Sequence, residues 1–335
     1  MGQVGRRQFL IATGGVLTAP FIARAQPRRD GRPFRIGVPF RFQTDEARRL
    51  LVTAMREYGW RENEDFVFIN ADVPLSPTNS EGIRRLVAEK PDLILVYTTA
   101  DALTAHRMSK RIPIVMIASG YPVEAGVAKS LARPGMNVTG NALYAGTGVW
   151  GKLLELLKDS KPGIKSVGVL WGYVPPAFPR AEIEPCYRDL KRGAATLGID
   201  INIFEVTSKD QLAAALDRIA AGRSDALLTT SALRFVDWAQ VMQFAIDRKL
   251  PTIMDWIQIP SDKHMRTLLA YAPSTESLIK TAFAAVDRIL KGERPADLPI
   301  QQPSKFELVV DLKMAKAIGV TIPLSIMLRA DRVIE

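Results

Sequence analysis

The 335-residue sequence predicts an α/β protein of two similar lobes, each a doubly wound parallel sheet, joined by crossovers. Three observations carry this. Short β-branched runs alternate with amphipathic helices from Arg35 onward, the alternation occurs twice in the same order, and landmark residues recur at a steady offset.

In the first half IGVPF (36–40) reads as a strand, and Ala47, Leu50, Leu51, Ala54, Met55 and Tyr58 then fall at helical spacing until Gly59 stops them. FVFIN (66–70), a helix around 80–89, LILVYT (93–98), a helix from Asp101 and IPIVMIA (112–118) continue the pattern. A further helix is expected over Val123–Leu131. The second half runs SVGVLW (166–171), a helix to Gly198, INIFEV (201–206), a helix 210–221, ALLTT (226–230), a helix 235–248 and PTIMDW (251–256). Gly37 matches Gly168, Gly59 matches Gly198, Asp92 matches Asp225 and Pro113 matches Pro251, at offsets of 131, 139, 133 and 138 residues. Offsets so even across four element boundaries favour two lobes over one long sheet.

Open parallel sheets bind ligands beyond the carboxyl ends of their strands, where loops diverge and helix N-termini offer unpaired N–H groups. The repeat therefore nominates two facing sets: Phe40, Arg41, Gln43, Thr98, Thr99, Ser119 and Tyr121 in lobe one, and Trp171, Tyr173, Thr230, Ser231, Asp255 and Trp256 in lobe two. The aromatic rings supply flat apolar area and the hydroxyls supply orientation. Arg41 suits a carboxylate and Asp255 an ammonium group, so an amino acid or an aromatic or other organic acid fits the set. For each aromatic the competing reading is a plug at a sheet edge or packing between helices.

The bulk numbers narrow the class. With 47% hydrophobic and 24% charged residues the chain has an ordinary globular balance, which excludes disordered and collagen-like classes. Residues 1–25 differ, with Arg6-Arg7, the mildly apolar FLIATGGVLTAPFIA (9–23) and a small-x-small site at Ala23-Arg24-Ala25. They read as an export signal removed near Ala25-Gln26, followed by a flexible mature N-terminus over 26–33, and the expected location is the periplasm. RRQFL (6–10) resembles a twin-arginine signal; an ordinary secretory signal with two basic residues is the other reading. The leader takes three arginines from the net charge of +10, leaving +7 dispersed over presumed helix faces without a basic-aromatic block, so nucleic acid is not an expected partner. One cysteine (Cys186) and two histidines (His106, His264) argue against disulfides and metal sites, and no cofactor or membrane span is expected in the mature, monomeric protein.

Two motifs are set aside. GTGVWG (146–151) matches the dinucleotide pattern GxGxxG, but the next strand ends in Trp171-Gly172-Tyr173 where a ribose-binding acid belongs. Its glycines better suit a crossover between lobes. SLIK (277–280) matches SxxK within a helix and lacks companion motifs. Nothing assembles a nucleophile, a base and an oxyanion site, so no enzymatic activity is expected.

Two further segments, VAKSLARPGMNVTG (127–140) and LKGERPADLPIQQPSKFELVVDLKMAKAIGVTIPLSIMLRADRVIE (290–335), closely resemble the ABC-transporter substrate-binding proteins of the tryptophan/tyrosine-type family. The resemblance implies the type I periplasmic-binding-protein fold, a clamshell that closes on a small ligand by hinge bending. It also implies lobe one at 34–143 plus about 273–300, lobe two at 144–272 plus about 301–335, and an inner-membrane ABC permease as partner. A periplasmic sensor presenting the closed form to a membrane receptor would need the same architecture. Where relatives commonly carry Gly-Asp-Pro, an Asn-Pro loop and glycines, this chain has Gly120-Tyr121-Pro122, Gly172-Tyr173-Val174-Pro175-Pro176 and SDKHM (261–265). All three departures fall at cleft edges.

Overall fold

In the computed structural model the described residues are 31–39, 45–71, 73, 79–144, 146, 148–172, 180–233, 236–257 and 266–335. The first lobe contains β1 (Phe34–Val38), α1 (Asp45–Glu57), β2 (Phe66–Asn70), α2 (Ser80–Glu89), β3 (Leu93–Val96), α3 (Thr99–Met108), β4 (Ile114–Ser119) and β5 (Val138–Ala142). Its strands form a parallel sheet in the order β2-β1-β3-β4-β5. The second contains α4 (Val149–Ser160), β6 (Ser166–Gly172), α5 (Arg180–Leu197), β7 (Asp200–Val206), α6 (Leu212–Ala221), β8 (Ala226–Thr229), α7 (Trp238–Asp247), β9 (Thr252–Met254) and β10 (Leu269–Pro273). After α8 (Thr275–Leu290) come β11 (Phe306–Asp311), α9 (Leu312–Ile318), α10 (Leu324–Met327) and β12 (Arg332–Ile334).

The second sheet runs β12-β11-β10-β9-β8-β6-β7, so its strands β7 to β10 repeat the order of the first sheet. It is parallel except for β10 against β11, an antiparallel pair that the alternating pattern does not announce. α8 leaves the second sheet and packs on β4, β5 and α1 of the first.

Side-chain alternation makes the first sheet two-sided. Leu93, Leu95, Val115 and Ile117 share one core with Leu278, Phe283 and Val286 of α8. Ile94, Val96, Ile114 and Met116 point the other way, into a core with Ile83, Leu86, Ala102 and Ala105. This is why β3 and β4 read as unbroken apolar runs.

The internal repeat extends to single hydrogen bonds. Arg35 N–H donates to Asp92 Oδ2 (2.8 Å) and Asp92 N–H returns to Arg35 O (2.9 Å). In the second lobe Ser166 N–H donates to Asp225 Oδ2 (2.9 Å) and Asp225 N–H returns to Ser166 O (2.8 Å). Gly59 and Gly198 both take positive φ (85° and 63°) at the ends of α1 and α5, and the N–H after each reaches back five residues. Alanine at Asp92 or at Asp225 is expected to cost about 1–2 kcal/mol each in chemical denaturation, since each strands a β-strand's first N–H groups. If one replacement were silent and the other costly, the two pairs would not be equivalent.

The family-like segments are structural staples. Asn137 Nδ2 donates to Ser109 O (2.9 Å) and Ile112 O (2.6 Å), closing the α3–β4 turn. Thr139 Oγ1 donates to Leu298 O (2.9 Å), and Asn141 Nδ2 bridges Ile117 O (2.9 Å) and Leu278 O (2.8 Å), which ties α8 to the sheet. Near the C-terminus Arg266 forks onto buried Asp311 at 2.7 and 2.6 Å, and Asp331 exchanges two hydrogen bonds with Leu308.

The helix expected over Val123–Leu131 is instead a set of turns. Gly126 adopts φ 77°, Val127 N–H and Ala128 N–H both turn back to Pro122 O, and Lys129 N–H goes to Pro134 O. A left-handed residue in that position breaks the helical ladder before a second turn can form.

Candidate functional site

The carboxyl ends of β3 and β4 present a compact group of hydroxyls. Thr98 is spent as the N-cap of α3, accepting from Asp101 N–H at 3.1 Å. Fully buried Thr99 and Ser119 share a hydrogen bond (2.6 Å), and Gly120 N–H donates to Thr99 Oγ1 (2.9 Å). The loop after β4 is therefore held against the start of α3 by side-chain oxygens.

Across the seam, β6, β8 and β9 end in a matching group. Gly172 N–H donates to Thr230 Oγ1 (3.3 Å). Asp255, 3% exposed, accepts from Ser231 N–H at 2.6 Å through one oxygen. Its other oxygen takes Ser231 Oγ (3.2 Å) and the phenol of Tyr144 (2.7 Å). Burial raises the Asp255 pKa above its ordinary value, and the Tyr144 and Ser231 donors oppose the rise without cancelling it. Burial, with the Asp255 carboxylate second, holds the Tyr144 phenol well above its ordinary value, so it stays a donor at any physiological pH.

Tyr144 joins the two sides. It lies just past β5, packs against the cores of both lobes, and its N–H donates to Gly120 O (3.5 Å) while its hydroxyl reaches Asp255. The ends of β4 and β9 are thus within one tyrosine of each other. The same ring opens an aromatic file: Tyr121 lies 6.1 Å from Tyr144, Tyr144 5.0 Å from Trp150, and Trp150 and Tyr187 each 4.9 Å from Trp171.

This geometry sorts the residues nominated from sequence. Thr98, Thr99 and Ser119 come together on one side, and Thr230, Ser231 and Asp255 on the other, while the rings of Tyr121 and Trp171 both lie in the second core; Trp256 is half-buried beside that core. Tyr121 and Trp171 are 3% and 4% exposed and pack against protein rings, the competing role allowed for them above. Phe40, Arg41, Gln43 and Tyr173 lie outside the described residues. Sequence reasoning passed over Tyr144, Trp150 and Tyr187. Trp150 lies inside GTGVWG, whose glycines have structural roles: Gly148 (φ 64°) precedes α4, and a Cβ on Gly193 would lie 2.6 Å from Gly151 Cα, so these glycines serve the crossover and the α4–α5 contact.

Comparison with known proteins matches this architecture. The family model described as ABC transporter substrate binding protein matches residues 43–334. A tyrosine-binding protein of Clostridioides difficile is 26% identical over 282 residues, covering 82% of this chain and 76% of that one. Among solved structures, an ABC domain in complex with L-Trp from Streptococcus pneumonia superposes with a TM-score of 0.72 at 23% identity, covering 90% of this chain and all of that one. The ligand-free, open structure of a substrate binding protein with adhesive properties from Clostridium difficile gives 0.64 at 25% identity, covering 90% and 99%.

Proposed function

Because the chain belongs to the family of ABC transporter substrate-binding proteins, we propose that it is the periplasmic receptor of an ABC importer. In this reading it closes on an amino acid or an aromatic or other organic acid and presents it to an inner-membrane permease. It binds and carries out no chemistry. The lobes of this proposal are 34–143 with about 273–300, and 144–272 with about 301–335, and the leader at 1–25 directs export. Among the described residues no helix is long and apolar enough to cross a membrane.

One observation carries the proposal: hydroxyls at the strand ends of one lobe and a hydroxyl–carboxylate group at the strand ends of the other meet at a single seam through Tyr144. A ligand seated there would be oriented by Thr99, Ser119, Thr230 and Ser231, with Arg41 taking its carboxylate. Asp255 would face its ammonium group while holding Tyr144. Phe40, Gln43, Thr98, Tyr173 and Trp256 complete the proposed wall, and the buried rings of Tyr121 and Trp171 back it from the second core. The ligands of the relatives, tyrosine and L-Trp, favour an aromatic amino acid as the first compound to try.

Ligand would shift the population toward the closed form only by its differential affinity for the two forms. A thermal-shift screen of the mature protein should cover aromatic amino acids, the corresponding acids lacking the ammonium group, aliphatic amino acids and sugars. A compound at 100 times its dissociation constant is expected to add about 2.7 kcal/mol and raise the Tm visibly. Arg41→Ala is expected to abolish the shift given by carboxylate ligands. Shifts from sugars alone would sink the assignment.

A further inference from the structure

Tyr121 belongs to one lobe by sequence and to the other by packing. It stands two residues past the end of β4, yet its ring is built into the core of the second lobe beside Trp150 and Trp171. Its hydroxyl donates to Asp189 Oδ2 of α5 at 2.8 Å, and Arg192 holds Asp189 Oδ1 at 2.6 Å. The contact is thus a hydrogen bond to a carboxylate that is also ion-paired, the stronger kind.

Tyr121 is not in any segment by which the chain passes between the sheets: these follow β5, β10 and the Gln301 strand pairing beside Asn141. A rotation of one lobe about those segments must carry the Tyr121 hydroxyl relative to Asp189. Hydrogen bonds weaken beyond a few tenths of an ångström of stretch, so this one exists over a narrow range of lobe angles. We propose that the lobe arrangement seen here is the closed one and that Tyr121 and Asp189 form a closure clasp, a contact within the protein that favours it before any ligand arrives. The clasp rests on the hinge motion proposed above. It sets the fraction of molecules already closed, and apparent affinity scales with that fraction. In this chain, affinity is tuned beside the hinge by a residue that need not touch the ligand.

The test reads lobe separation without ligand. Spin labels at Arg107→Cys on α3 and Ala214→Cys on α6, both exposed, report the distance between lobes, while buried Cys186 stays unlabelled. Tyr121→Phe keeps the ring and removes the hydroxyl. It is expected to lower the closed-to-open ratio about tenfold, as loss of one charge-assisted hydrogen bond predicts. Asp189→Ala on the helix surface should shift the distribution the same way, and the double variant should go no further than either single one. Unchanged distributions in both folded single variants, or fully additive shifts, would overturn the clasp. If a ligand shifts the wild-type distances but neither variant does, the clasp fails and the receptor reading stands. If no compound in the screen binds but both variants open, the clasp stands and the ligand assignment fails. One unchanging wild-type distance with and without ligand would overturn clasp and hinge together.

Discussion

Gly140→Ala is expected to lose at least about 4 kcal/mol of stability, enough to prevent folding of the first lobe or to lower its Tm by about 10 °C or more. Gly140 has φ 128°, which side-chain-bearing residues rarely adopt. It also pairs with Met116 of the neighbouring strand so closely that an added Cβ would lie 2.1 Å from Met116 O and 2.5 Å from its N. Those atoms are backbone in a sheet and have nowhere to go. Opening the β4–β5 pairing would also disturb Gln301 N–H, which donates to Gly140 O, and Asn141, which holds α8. Differential scanning calorimetry decides it: a variant melting with the wild type would show that the strand pairing at Met116 is not as described.

Asp255→Ala is expected to cost about 2–4 kcal/mol and to abolish ligand binding, because it strands the Tyr144 phenol and the Ser231 N–H at the seam between the lobes. The milder Asp255→Asn tests the electrostatics. Since burial raises the folded-state pKa above that of the unfolded chain, the folded protein holds this proton more tightly. The resulting stabilisation is fully present below the unfolded pKa of about 3.9 and is lost as pH rises through the folded pKa. The stability advantage of wild type over Asp255→Asn should therefore be largest in acid and shrink as pH rises from about 4 toward neutral. Urea denaturation across that range reads the difference; an advantage that grows with pH would mean that the three donors outweigh burial.

The two variants also separate what could be read along the chain from what could not. Gly140 ends the segment 127–140 that carries the family resemblance, but its φ of 128° and its contact with Met116 are seen only in the structure, as are the hydrogen bonds of Asn137 and Thr139 to Ser109, Ile112 and Leu298. Asp255 was nominated from its place at a strand end, but its present partners were not, because Ser231 lies 24 and Tyr144 111 residues away. The expected helix over Val123–Leu131 failed for a local reason, the left-handed Gly126.

By itself the sequence determined the fold class, because periodicity and the strand-starting aspartates Asp92 and Asp225 act over short distances and repeat in order. It also determined which strand ends would carry the polar groups, since those positions follow from the repeat. Only the tertiary structure decided what those groups do to one another. The tyrosines that open the aromatic file and the reach of Tyr121 to Asp189 depend on how two lobes meet, and the use of Trp171 as packing depends on how α4 and α5 close over β6. The physical reason is range: a helix or strand is encoded by neighbours a few residues apart, whereas a seam is made by side chains whose distance along the chain says nothing of their distance in space.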